Sequence, residues 1–282
     1  MIVFKKIDGI KKYLKHQKIS GLQIGFVPTM GALHQGHLSL IEMSKKSTEI
    51  TVCSIFVNPT QFNDSRDFEK YPITIENDIL LLEKAGCDVL FLPLAEEIYP
   101  NGTALTTAYN LGNLETILEG KFRPNHFQGV CQIVHRLLKI VQPNELFLGQ
   151  KDYQQCQVIK KMMQLNGIQA ELKISNTLRE TSGLAMSSRN MRLSEADKQK
   201  ATAIYESLKF IQKNINTNSI IELKQEATKA LLKSGFKKVD YVEICDAINL
   251  QPITTNEKSS QKIALVAAFL NDVRLIDNLI LQ

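Results

Sequence analysis

The sequence predicts an α/β chain: a Rossmann-like parallel sheet with helices on both faces, followed by a smaller α+β domain. Three observations carry this expectation. Short apolar runs alternate with amphipathic helical stretches from Leu22 to Ile174. One of those runs, Ile50–Val57, is almost continuously apolar and rich in β-branched residues, as befits a strand buried on both faces. After the polar stretch Arg179–Leu193 the pattern changes to helices followed by longer strands. A length of 282 residues suits about two domains, placed at 1–177 and 178–282.

Taken in order, Leu22–Val27 reads as a strand ending at Pro28, and Leu38–Lys46 as an amphipathic helix. The strand Ile50–Val57 follows, then a helix over Thr74–Ala85 with Gly86 as its cap. Val89–Leu92 is a strand stopped by Pro93, and Gly129–Val141 an apolar-faced helix ending before Pro143. Leu146–Leu148, Tyr153–Gln164 and Ala170–Ile174 read as strand, helix and strand. Beyond Ser194, with Glu195 and Asp197 in the first turn, another helix begins. Ile220–Lys233 is a further helix after the polar break Asn214–Ser219; Val239–Ile244 and Ile263–Leu270 are strands around the polar loop Thr254–Gln261.

With 44% hydrophobic and 22% charged residues, composition excludes a mainly disordered chain. The 34 Lys and Arg against 29 Asp and Glu give a net charge of +5, which suits small anionic ligands. A nucleic-acid partner is not expected, since the basic residues do not cluster. No apolar run nears the roughly 18 residues of a membrane span. The run Met1–Phe4 is too short for a signal peptide, so a cytoplasmic location is expected. Five widely spaced cysteines with no CxxC pair read as buried thiols of a reducing compartment.

Four clusters carry candidate chemistry. The first, Val27 to His37, runs from strand to helix, where helix N-termini and the carboxyl ends of parallel strands bind ligands. Gly31 and Gly36 allow close backbone approach, while His34 and His37, three apart, share a helix face and could stabilise moving charge on phosphate. The competing reading is that either His caps the helix. Zinc is rejected: the spacing is i, i+3, with Gln35-Gly36 between and no nearby third ligand. The second cluster, Asn58-Pro59-Thr60-Gln61, places two neutral amides at a strand end, suited to hydroxyl or carboxylate groups. In the third, Gly149 permits a tight turn, Lys151 suits a phosphate, Asp152 a cap or ribose, and Gln155 lies one turn into the helix. The fourth, Gly183 to Asn190, puts Ser187, Ser188 and Arg189 on a loop suited to transferred phosphates. Each of the last three also reads as an ordinary turn, capped helix or solvated linker. The segments Arg123–Phe127 and Tyr71–Thr74, with Asp78 beyond, read as structural on sequence alone.

A His-x-Gly-His turn followed by a Lys turn and a Met-Ser-Ser-Arg loop resembles the HIGH/KMSKS nucleotidyltransferases. The strings PTMGALHQGH, SIFVNPTQF, RPNHFQGV, LGQKDYQQ, GLAMSSRN and ALVAAFL…RLIDN resemble, in order and spacing, the pantoate–β-alanine ligase family within them. The resemblance spans the whole chain. It implies activation of pantoate by ATP to pantoyl adenylate with release of pyrophosphate, then attack by β-alanine to give pantothenate and AMP. It implies ATP as substrate, Mg²⁺ on the phosphates, and a homodimer. Carried over by residue, Met30, Gly31, Ala32, Leu33, His34, Gln35, Gly36 and His37 line the ATP site, with His34 and His37 on the phosphates and His37 the proton donor. Gly149, Gln150, Lys151, Asp152, Leu178, Met186, Ser187, Ser188 and Arg189 complete it, with Lys151 and Arg189 catalytic and Leu178 contacting adenine through its backbone. Gln61 and Gln155 hold pantoate with Asn58 nearby; Gln61 also meets β-alanine. Arg123 and His126 match positions near the site.

Four positions depart from the family pattern: Ile73 for Arg, Asn77 within an acidic pair that leaves Asp78 as the metal candidate, Gln128 for Arg, and Ser182 for Asp. Within enzymes, the runner-up is a nucleotidyltransferase that passes AMP to a phosphate acceptor; the paired glutamines and Asn58 argue for a hydroxy acid instead. A tRNA synthetase lacks room here for an anticodon domain. A nucleotide-binding regulator without catalysis is the reading from another class, and the intact His34, His37, Lys151 and Arg189 argue against it.

Overall fold

The structure, a computed structural model, describes residues 1–63, 65–105, 107–255 and 261–281, with side chains at all of these but 65 and 66. The chain packs as two compact units. The first comprises Met1–Gly149 and Val158–Asn176, the second Gln150–Gln157 and Thr177–Gln282. A single cut after residue 177 would separate Gln150–Gln157 from the residues it packs on; the Tyr153 hydroxyl, for instance, donates to the Ala247 carbonyl at 2.7 Å.

The first unit is built on six parallel strands: β1 (Ile2–Phe4), β2 (Ile24–Thr29), β3 (Ile50–Ile55), β4 (Val89–Phe91), β5 (Glu145–Gly149) and β6 (Glu171–Ser175). Their order is β1-β4-β3-β2-β5-β6. The sheet therefore grows one way from β2 through β3 and the other way through β5, which makes the carboxyl ends of β2 and β5 its topological switch point.

Alternation explains how the strands are buried on both faces. Val27, Cys53, Leu90 and Phe147 pack with Leu40, Ile41 and Leu82 from the helices Gln35–Ser47 and Ile75–Lys84. Their neighbours Phe26, Val52, Val89 and Leu146 point the other way and have no exposed surface. The helix His126–Val141 packs on β2 and on the helix Ile7–Ile19.

In the second unit, β7 (Lys238–Asp246), β8 (Lys262–Leu270) and β9 (Val273–Leu281) form an antiparallel sheet in that order. Helices Ala203–Asn214 and Ile220–Lys233 lay Leu208, Ile211, Leu223 and Leu231 against Ile244, Val266 and Leu275. Ser219 and Glu222 cap the latter helix reciprocally, at 3.2 and 3.1 Å. All five cysteines are buried free thiols. Among the described residues no helix is long and apolar enough to cross a membrane.

Among the described residues the sequence reading misses the short helices Ser65–Glu69, Ala95–Ile98 and Leu118–Phe122 and three further elements that bear on the fold. β1 has three residues, too few to show a period. The helix Ile7–Ile19 buries only Ile10 and Leu14 fully, so its stripe is narrow. β9 carries Asp277 and Asn278 mid-strand, where polar residues suggest a loop. Of the polar loop expected over Thr254–Gln261, 256–260 lie outside the described residues.

One close approach ties this scaffold to the candidate site. Gly129 lies against the 3₁₀ turn Pro59–Gln61, and a Cβ there would stand 2.1 Å from the Thr60 carbonyl oxygen. Gly129→Ala is expected to cost about 1–3 kcal/mol through overpacking. Thermal unfolding checks this: a lowered midpoint is expected, and an unchanged one would mean that helix and turn separate freely.

Candidate active site

β2 ends at Thr29, whose hydroxyl donates to the Ser54 carbonyl at 2.8 Å and accepts from Gly31 N at 3.2 Å. The chain then turns through left-handed backbone at Gly31 (φ 82°) and Ala32 (φ 49°). Glycine tolerates this; for Ala32 it is a strained conformation that needs outside support. Asp78, on the helix Ile75–Lys84, supplies it. Its Oδ2 accepts from Ala32 N at 2.9 Å, and its Oδ1 from Leu33 N at 2.8 Å and from the Thr74 hydroxyl at 3.0 Å. The Asp78 side chain is completely buried. Hydrogen bonds to an ionised acceptor are about twice as strong as neutral ones, so the buried carboxylate and the turn stabilise each other.

His34 and His37 then start the helix Gln35–Ser47 as a reciprocal pair. His34 Nδ1 accepts from Gly36 N at 3.2 Å, and His37 Nδ1 from His34 N at 3.3 Å. The rings lie 4.0 Å apart at 34°. Capping and catalysis are therefore not alternatives for these residues, because the cap uses one ring nitrogen of each. An imidazole that accepts at Nδ1 carries its proton on Nε2. The sequence suggests free N–H groups for an anion at this helix start. In the structure the N–H groups of Gly31, Ala32, Leu33, His34 and Gly36 are engaged by protein side chains, and those of His37 and Leu38 donate to the His34 carbonyl.

At the end of β3, Asn58 is 1% exposed. Its Nδ2 donates to the Gly129 carbonyl at 3.2 Å; its Oδ1 accepts from the Tyr99 hydroxyl at 2.7 Å and the Thr60 hydroxyl at 3.1 Å. Burial pushes the Tyr99 phenol up, while Thr60 and the Arg136 guanidinium oppose that shift, so Tyr99 remains a donor. Two residues of the RPNHF segment meet on the next turn. His126 Nδ1 donates to the Gln61 carbonyl at 2.8 Å, and Arg123 NH2 donates to the same oxygen at 3.4 Å. The segment that read as structural thus fixes the backbone of Gln61. Gln128, where the family often has Arg, spans the Tyr109 main chain (3.0 and 2.9 Å) and the Glu115 carboxylate (2.9 and 3.0 Å). A neutral amide satisfies all of these groups. Ile73 is 72% exposed, so the Arg missing there leaves no internal gap.

The second unit holds the other candidates. Lys151 lies 3.4 Å from the Asp152 carboxylate, and its side chain is 16% exposed. Gln155 is half-buried on the helix Tyr153–Leu165. Before the Met-Ser-Ser-Arg loop the chain folds back on itself: Arg179 pairs with Ala185, and Met186 N donates to the Leu178 carbonyl at 3.0 Å. Ser187 then caps the turn Ser188–Arg192 by accepting from Arg189 N at 3.3 Å. Asn190 donates to the Ala185 carbonyl at 3.0 Å and to Glu180 at 3.1 Å. Tyr99 carries no chemistry-bearing pattern in the sequence; only tertiary contact reveals its part.

Comparison with known proteins places this arrangement. The sequence profile of the Pantoate-beta-alanine ligase family matches residues 2–280. Pantothenate synthetase of Aquifex aeolicus is 43% identical over 280 residues, 98% of each chain. The crystal structure of pantothenate synthetase from Thermus thermophilus superposes with a TM-score of 0.92 at 37% identity, covering 99% of both chains. A pantoate-beta-alanine ligase from Francisella tularensis, complexed with beta-gamma ATP and beta-alanine, gives a TM-score of 0.84 at 37% identity, over 99% of this chain and 97% of that one. With a family match along nearly its whole length, the chain belongs to the pantoate–β-alanine ligase family.

Proposed function

We propose that the chain joins pantoate to β-alanine through a pantoyl adenylate, with its own side chains positioning substrates and stabilising charge. The pantoate carboxylate attacks the α-phosphorus of ATP and pyrophosphate leaves. The amine of β-alanine then attacks the acyl carbon, the acyl–oxygen bond breaks, and AMP departs. Both nucleophiles belong to substrates, so the protein need supply none.

The observation that carries the scheme is the paired Nδ1 engagement of His34 and His37. It puts the ring protons on Nε2, the atoms this reading directs at ATP phosphate oxygens, with His37 stabilising the leaving pyrophosphate. Lys151 and Arg189 supply fixed positive charge there. Gly149, Gln150, Ser187, Ser188 and Met186 shape the nucleotide site, Asp152 takes the ribose, and the Leu178 backbone meets adenine. Gln61 and Gln155 hold pantoate, and Gln61 later meets β-alanine. Asn58 receives a different part from the one expected: its amide is engaged on both sides within the protein, so it sets the Gln61 turn instead of reading substrate.

The residues present do not fit a protein-held Mg²⁺. The Asp78 carboxylate is buried and accepts three protein hydrogen bonds. Mg²⁺ accordingly belongs to the ATP substrate, and no step is routed through it. The reading includes a reducing, cytoplasmic compartment, which the five buried thiols support, and a homodimer, which a sizing measurement tests.

The direct test is AMP release from ATP with pantoate and β-alanine, repeated with each omitted. Sustained release requiring both is expected. AMP transfer without β-alanine would point to a simpler nucleotidyltransferase, and ATP binding without turnover to a regulator. His37→Ala is expected to slow adenylation by about 10²-fold or more, the scale of losing one transition-state donor; an unchanged rate removes His37 from the mechanism. Gln155→Ala should raise KM for pantoate and spare that for ATP. The reverse pattern would contradict its assignment.

A further inference from the structure

The last strand of the second unit grips two loops that the proposed mechanism uses. β9 lies at the edge of its sheet, with β8 on one side only. Apolar residues Val273, Leu275 and Leu281 already anchor it in the core. Two adjacent polar residues, Asp277 and Asn278, are nevertheless 4% and 2% exposed. Buried polar groups at such a place must find partners, and both find them on chain segments far away in sequence.

Asn278 uses its whole amide on the Gln150–Lys151 turn. Its Nδ2 donates to the Gln150 carbonyl at 3.0 Å and the Lys151 carbonyl at 2.9 Å, and its Oδ1 accepts from Gln150 Nε2 at 3.2 Å. Asp277 takes the Arg179 guanidinium in a two-pronged pair, at 2.5 and 3.1 Å. Arg179 also donates to the carbonyls of Gly183 (3.2 Å) and Asn278 (3.3 Å), and its guanidinium lies 3.8 Å over the Tyr205 ring. Arg179 and Ala185 pair immediately before Met186–Arg189. The two clamps are joined, because Asn278 N donates to Asp277 Oδ1 at 2.8 Å. Burial pushes the Asp277 carboxyl up and Arg179 opposes that shift, so the carboxylate depends on its partner.

We propose that Asp277 and Asn278 are positioning residues that hold the Lys151 turn and the Met186–Arg189 loop in fixed register, making the C-terminal strand part of the framework of the ATP site. The contacts go to the main chain of Gln150 and Lys151 and to the base of the Arg189 loop, not merely to the sheet edge that β9 closes. This rests on the assignment of Lys151 and Arg189 to ATP phosphates. Misplacing such groups by about 1 Å can cost on the order of 10²-fold in rate.

The test is pantoate-dependent ATP–pyrophosphate exchange in Asn278→Ala, Lys151→Ala and the double variant, each with its thermal midpoint. Asn278→Asp, which keeps the volume and loses both donors, stands in should Asn278→Ala not fold. The expected result is KM for ATP raised or kcat lowered by about tenfold or more in Asn278→Ala, with the double variant no worse than Lys151→Ala alone. Effects that multiply in the double variant would overturn the proposal by showing that Asn278 acts on stability and not through Lys151. Parent-like kinetics in the Asn278 variants would overturn it as well. Unaltered ATP kinetics in Lys151→Ala would refute the phosphate assignment, and the proposal with it. A separate readout covers Asp277: in Asp277→Asn, amide hydrogen exchange over Met186–Asn190 should quicken while β7 and β8 keep parent rates. Unchanged exchange in that loop overturns the Asp277 half.

Discussion

Asp78 lies without exposed surface beneath the turn Gly31–Leu33 and accepts the N–H groups of Ala32 and Leu33. The geometry of the histidine turn follows from that contact. It supports Ala32 in left-handed backbone, which sets where His34 enters the helix and so where both imidazoles stand. A carboxylate this deep is tolerable because each oxygen meets an N–H, with the Thr74 hydroxyl as a third donor. The same contact removes those amides from ligand binding. Much of this helix start is thereby committed to internal partners.

The same construction recurs around the molecule. His126 and Arg123 hold the Gln61 turn by its carbonyl, and Asn278 holds the Gln150–Lys151 turn in the same manner. In each case a polar side chain from a distant segment holds a turn by its main-chain carbonyls. This suits a reaction whose nucleophiles are both substrate groups: catalysis then depends on placement and charge, and placement is what such clamps supply.

The parallel sheet was legible because its strands are buried on both faces and read as continuous apolar runs, as in Ile50–Val57. The His pair, the glutamines and the Lys and Arg loops were legible because Gly and Pro punctuate them at strand ends. Less legible was any residue whose part depends on tertiary contact: the sequence gives the chemical type of Asp78 and Asn58 and not the internal groups that the fold pairs with them. β9 was missed for a related reason: Asp277 and Asn278 break the apolar alternation because they serve loops elsewhere in the chain.

Most depends on Asp78 acting, as proposed, as a clamp of the histidine turn and not as a holder of metal. The measurement is the Mg²⁺ dependence of pantoate-dependent ATP–pyrophosphate exchange in Asp78→Asn, beside the parent. A clamping Asp78 predicts a rate lower by about 10²-fold, as expected for misplaced catalytic groups, with half-maximal Mg²⁺ unchanged and no recovery at high Mg²⁺. A rate restored by raising Mg²⁺ would contradict it and return Asp78 to the metal.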